Sequence, residues 1–301
     1  MKKNIDIKNR IIWILGVTVL WYLFIFELIA ELIFNRTVYD AIGLELSDGA
    51  YFVVSLYLST IVTLIGLIVY TAVTKRNRFV LKSILPGYKN NGIRTLMAGL
   101  LVGFVMNFFC IACALVHGDI KLYLDFALDQ IPLILFAFVC VFIQSTSEEV
   151  WCRGFVYERI NVRYPLWVAI LVNGLFFAGL HVFNPGASVL PIADIALCGL
   201  SFSLAKWYTG SIWFPMGVHT AWNFTQNFLF GLPNSGLVSE VSVFTLDAAT
   251  ARTNLIYNSA FGVEGALPAV FADGALGIIC LVLAAKKGRL KELTMKKQQL
   301  G

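Results

Sequence analysis

Three short polar clusters stand in apolar surroundings and carry residue types that do acid–base chemistry. In STSEEVWCRGF, Glu148 stands beside Glu149, and Arg153 follows Glu149 by four positions. On a helix that spacing puts Glu149 and Arg153 on one face within reach of an ion pair. Glu148 is turned about 100° away and left free to face something else. Of the three histidines, His117, His181 and His219, two recur with polar companions at helical spacing. NGLFFAGLH aligns Asn173, Phe177 and His181, and HTAWNFTQN aligns His219, Asn223 and Asn227. In a low-dielectric pocket Glu148 can serve as general base toward a water, and His181 can hold that water or pass its proton on. His219 and Asn223, one turn apart, can donate to an oxygen that becomes negative when water attacks a carbonyl. Arg153 fixes Glu149, which keeps the second carboxylate ionised and the first oriented. Together the set hydrolyses an amide. A second chemistry stays open: Glu148, His181 and His219 form a three-ligand N/O set that suits a catalytic Zn²⁺ with one open position.

The elements that must position these groups follow from composition. Of 301 residues, 58% are hydrophobic and only 14% charged, with a mean hydropathy of +0.78. A soluble domain carries about a quarter charged residues, so the chain is read as a polytopic membrane protein, all-α, with an internal polar cavity. Eight apolar segments of suitable length emerge, at residues 11–34, 51–73, 95–116, 131–155, 167–182, 190–207, 212–230 and 262–285. They group into N-terminal helices (1–130), a four-span catalytic core (131–230), and an outer loop, last helix and basic tail (231–301). With both termini in the cytoplasm, all of the 23 Lys and Arg except Arg36, Lys121 and Arg252 fall on the inner side. The net charge of +5 is then a topology signal and a match to anionic lipid, not a nucleic-acid footprint. The expected location is a bacterial plasma (inner) membrane, with the cavity toward the cytoplasm. The first apolar stretch is too long for a secretory h-region and is read as a retained helix. No C-terminal prenylation box is present.

The segments EEVWCRG, FAGLH and HTAWN resemble the EExxxR, FxxxH and HxxxN/D motifs of the CAAX-protease and bacteriocin-processing family of intramembrane endopeptidases, also labelled the abortive-infection family. They occur in the family's order on consecutive apolar helices over about residues 131–230, with GSIWFPMGVH leading into the third. The resemblance implies that Glu148 and His181 activate water, that His219 and Asn223 stabilise the oxyanion, and that Glu149 and Arg153 support them. It implies a helical bundle whose cavity opens to the cytoplasm. The substrate would be a membrane-associated or lipophilic peptide, with roles in peptide-bacteriocin maturation or self-immunity. Both a metal-dependent and a metal-free glutamate mechanism are attached to this motif set. Asn173-Gly174 stands where Ser is frequent and Ala178 where Gly often follows the Phe, departures that bear on substrate fit.

Other polar residues serve competing readings. Glu27 and Glu31 in the first span, with Asp194 and Asp273 in later ones, would suit a proton- or ion-coupled transporter. The missing internal repeat and the suitability of Asn223 and Arg153 for an oxyanion site stand against it. A catalytically silent scaffold is a third option. His117 reads as a solvated interface histidine, and the six cysteines, all in or beside spans, as small packing residues without a disulfide framework. The segment Gly231 to Phe261, rich in Ser, Thr and Asn, reads as an outer loop, either a lid, a partner contact or a plain connection.

Overall fold

A computed structural model describes residues 10–295. Of the basic residues used above for orientation, Lys2, Lys3, Lys8, Lys296 and Lys297 lie outside this range. The chain is all-α apart from one short ribbon. Each of the eight apolar segments is helical: α1 (Ile11–Ala41, bent at Phe34 and Asn35), α2 (Asp48–Val73), α3 (Ile93–His117), α4 (Leu128–Asn161), α5 (Leu166–Gly179), α6 (Val189–Thr209), α7 (Trp213–Phe224) and α8 (Leu267–Lys286). Among the described residues six of them, all but α5 and α7, are long and apolar enough to cross a bilayer. The protein is an integral membrane protein. The sequence reading of eight spans differs at two short helices. The 14 residues of α5 rise only about 21 Å, short of the roughly 30 Å of a hydrocarbon core. Its apolar pattern continues to Val182, but the chain leaves the helix at Gly179 and turns through Asn184-Pro185-Gly186.

Helix α7 sits at the centre, against α3, α4 and α6, while α5 packs on α6 and α8 on α6 and α3. The α3–α7 contact explains two glycines. A Cβ on Gly99 would strike the Phe214 carbonyl, and one on Gly103 the Val218 carbonyl. Small residues one turn apart let two backbones approach where lipid offers no hydrophobic drive for association. On the outside, Leu20, Phe24, Leu28 and Leu32 of α1 and Leu101, Val105 and Phe108 of α3 are exposed, as lipid-facing surfaces require. Trp151 of α4 is buried between α1 and α2, edge-on to Tyr22 and with its indole N–H donating to the Thr63 carbonyl.

Two departures from α geometry adjoin the polar clusters. The backbone is π-helical over Val150–Val156, directly after Glu149, and over Thr225–Leu229, two residues after Asn223. Such a wide turn loosens the ordinary ladder and is common near functional sites. In the first, the Asn173 amide donates to the Cys152 carbonyl and the Lys206 ammonium to the Arg153 carbonyl. Opposite α7's C-terminal end, β1 (Leu122–Leu124) pairs antiparallel with β2 (Phe244–Leu246), tying the loop after α3 to the segment between α7 and α8. All six cysteines are free.

Candidate active site

Glu148, His181, His219 and Asn223 line one cavity of about 350 Å³. Glu148 comes from the last α turn of α4, His219 and Asn223 from successive turns of α7, and His181 from the turn just past α5. The early end of α5 therefore places His181 at the helix mouth instead of on the helix, and its Nδ1 lies 2.9 Å from the Phe177 carbonyl. A carbonyl only accepts, so Nδ1 carries the proton and Nε2 of the neutral ring is the acceptor left over.

Glu149 and Arg153 do not reach the cavity; they build its floor. Both side chains are fully buried, and Arg153 donates to Glu149 Oε1 over 2.9 Å. A second Arg153 nitrogen points to the Gly199 carbonyl at 3.4 Å, and the guanidinium carbon lies 4.3 Å from the Phe177 ring centre and 5.4 Å from that of Phe202. Glu149 Oε1 also faces His219 Nδ1 at 3.1 Å. A carboxylate anchored by arginine accepts there, so His219 presents Nε2 to the cavity, with the ring edge-on to Phe177. That Nε2 is 3.8 Å from Glu148 Oε2, a buried oxygen with no donor.

Gln144 has no place in the sequence reading and is the most informative omission. It donates to Glu148 Oε1 and accepts from the Asn223 amide at 3.2 Å, joining base and oxyanion candidates through one carboxamide. Its signal was available: a carboxamide in an apolar helix, four positions before Glu148. Glu264 was also missed: the sequence reading counts it within the last apolar segment, whereas the helix starts at Leu267 and Glu264 stands in a short turn, Val263–Gly265, ahead of it. It lines the cavity, accepts the Trp222 indole N–H at 3.0 Å and holds the Ser235 backbone N–H and hydroxyl at 2.8 Å each. Burial pushes its carboxyl pKa up, and the bonds from Ser235 and Trp222 offset part of that rise. Asn234, Ser235 and Leu237 complete one wall, so the segment after α7 closes the cavity.

Other expectations fall differently. Asn173 and Asn227 do not line the cavity. Asn173 serves the π turn, and Asn227 donates to the Leu232 and Leu237 carbonyls while accepting from Tyr57 at 3.1 Å. His117 is exposed at the end of α3, 2.8 Å from an Asp119 oxygen. Glu27, Asp194 and Asp273 do line the cavity, whereas Glu31 is exposed. Among the described residues no group of three or more His, Cys, Asp or Glu side chains is placed to hold a metal ion. His219 Nδ1 and His181 Nδ1 are turned to Glu149 and to a backbone carbonyl, which leaves each Nε2 to the cavity.

Residues 130–225, which hold all three motifs, match the family described as type II CAAX prenyl endopeptidase Rce1-like. This segment is similar to that family. The Rce1-like class is one of CAAX-type proteases, and the match spans the helices that place Glu148, Glu149, Arg153, His181, His219 and Asn223. Along most of its length the chain is also similar to the uncharacterized protein YyaK of Bacillus subtilis (strain 168), with 28% identity over 271 residues that cover 84% of each chain. No solved structure matches the chain.

Proposed function

We propose that the protein is an intramembrane endopeptidase that hydrolyses a peptide bond of a membrane-associated or lipophilic peptide by a metal-free, glutamate-based mechanism. The observation that carries the reading is Glu148 Oε2: buried, without a donor, on the cavity wall 3.8 Å from His219 Nε2. A water held between Glu148 and the free Nε2 of His181 loses a proton to Glu148 as its oxygen adds to the scissile carbonyl. The carbonyl oxygen becomes an oxyanion and takes hydrogen bonds from Asn223, whose second amide hydrogen is not committed to Gln144, and from His219 Nε2. With Nδ1 bonded to Glu149, Nε2 donates only when the ring is doubly protonated, and Glu149 is the counter-charge for that state. The proton taken from water then passes to the leaving nitrogen as the C–N bond breaks. Arg153 and Glu149 hold His219 in register, and Gln144 orients Glu148 toward Asn223.

The Lys and Arg asymmetry supports a bacterial plasma membrane with the cavity toward the cytoplasm, and maturation of a membrane peptide or self-immunity is the setting we favour. The test compares membrane-peptide fragments in cells carrying wild type, Glu148→Ala and His181→Ala. Each variant inserts normally and loses cleavage, by roughly 10²–10⁴-fold for a general base. Full activity in both variants on an identified substrate refutes the assignment.

A further inference from the structure

Hydrolysis as described leaves four carboxyl groups of the cavity without work: Glu27, Asp194, Glu264 and Asp273. Among the described residues no Lys or Arg lines this space, so with Glu148 five acidic side chains face two imidazoles. Glu264 has both oxygens committed to Trp222 and Ser235. Asp194 on α6 and Asp273 on α8 differ. Each is only 2% exposed, and each keeps a buried Oδ1 with no donor. The two helices pack on one another, which brings both carboxyls to one wall. The nearby Ser201 hydroxyl donates to the backbone carbonyl of Asp273 and not to its carboxylate.

A buried carboxylate oxygen without a donor is costly, and a paired one needs a positive partner with N–H groups to spare. A divalent ion is not that partner, since no three ligating side chains converge. A lysine or arginine side chain is: it brings one positive charge and several donors on an apolar stem, and Phe177, Ile195 and Phe202 line the same cavity as a surface for the stem. We propose that Asp194 and Asp273 form a specificity subsite for a cationic side chain, lysine or arginine, of the peptide substrate. The proposal rests on the endopeptidase reading for its peptide, and binding tests it separately from cleavage.

The probes are dodecapeptides of Ala and Leu with a C-terminal fluorophore, bound to the full chain in nanodiscs of uncharged phosphatidylcholine. Three are N-acetylated and carry Lys, Arg or Nε-acetyl-lysine at the centre; a fourth carries acetyl-lysine and a free N-terminus. The Lys and Arg peptides bind wild type at least tenfold more tightly than the acetyl-lysine peptide, and in D194N/D273N the ratio falls below threefold. Equal affinities in wild type, or a preference that survives in D194N/D273N, overturns the subsite. So does tight binding that follows the free N-terminus and not the central residue. Where D194N/D273N fails to fold, the single variants D194N and D273N are read by the same threefold criterion. A Lys preference with no cut by wild type removes the endopeptidase reading and keeps the subsite; a cut dependent on Glu148 without any Lys preference does the reverse.

Discussion

Replacing Arg153 with methionine isolates the buried charge network that supports His219. Arg153 and Glu149 are both fully buried, with Arg153 donating to Glu149 Oε1 over 2.9 Å, and Glu149 Oε2 has no donor. Removing one partner of such a pair strands the other charge and costs about 3–5 kcal/mol. The stacking of the guanidinium on Phe177 at 4.3 Å accounts for roughly 2 kcal/mol within that figure when desolvated. Arg153→Met is therefore expected to lose about 3–5 kcal/mol in reversible unfolding, read by tryptophan fluorescence in mixed detergent micelles. Glu149→Gln combined with Arg153→Met leaves no stranded charge, and the glutamine oxygen still accepts from His219 Nδ1. The double variant should regain more than half of the loss, a coupling that a cycle measures directly. Arg153→Lys keeps the charge but not the planar fork, and falls between wild type and methionine. A methionine variant within about 1 kcal/mol of wild type, or a double variant no more stable than the single one, refutes the reasoning.

Asn223→Ala removes an oxyanion donor, so kcat falls by about 10²–10³-fold with little change in KM, measured on an identified peptide. Gln144→Leu uncouples Glu148 from Asn223; it lowers kcat and shifts its pH profile, while the unfolding midpoint moves less than in Arg153→Met. Gly103→Leu forces a side chain against the Val218 carbonyl; it separates α3 from α7 and costs about 1–3 kcal/mol or more in the same unfolding assay. Glu264 binds its proton more tightly folded than unfolded, because burial raises its pKa. Its contribution is thus complete below the unfolded pKa of about 4.3 and is lost as pH rises through the higher folded value. Hydrogen exchange at residues 231–261 should speed up across that window, and Glu264→Gln, whose single amide oxygen can keep the bonds from Ser235 but not also the one from Trp222, should flatten the dependence.

Much of the site was legible because helical periodicity and the cost of polar groups in lipid are local properties. Glu149 with Arg153 could be paired from a spacing of four, and the same argument put His219 and Asn223 on one ridge. The periodicity failed at its ends. Asn173 keeps the spacing on α5, yet its amide donates to the Cys152 carbonyl in the π turn of α4, and Asn227 lies inside the π turn Thr225–Leu229, where its amide donates to the Leu232 and Leu237 carbonyls. His181 was assigned to a helix that stops two residues before it.

By itself the sequence determined that this chain lives in a membrane as a helical bundle, which residues are too polar for lipid, and which of them share a face. Those conclusions need only transfer energies and 3.6 residues per turn. Tertiary structure decided which faces meet. Gln144 joins Glu148 to Asn223 across α4 and α7, a contact between positions 79 apart. Glu264 closes a wall from the short turn Val263–Gly265 ahead of α8, and Asp194 and Asp273 come to the same cavity from α6 and α8. The packing also brings His219 Nε2 to 3.8 Å from Glu148 Oε2. No local rule fixes such arrangements, because they depend on how close Gly99 and Gly103 let α3 approach α7, and on how α4 and α6 settle around α7.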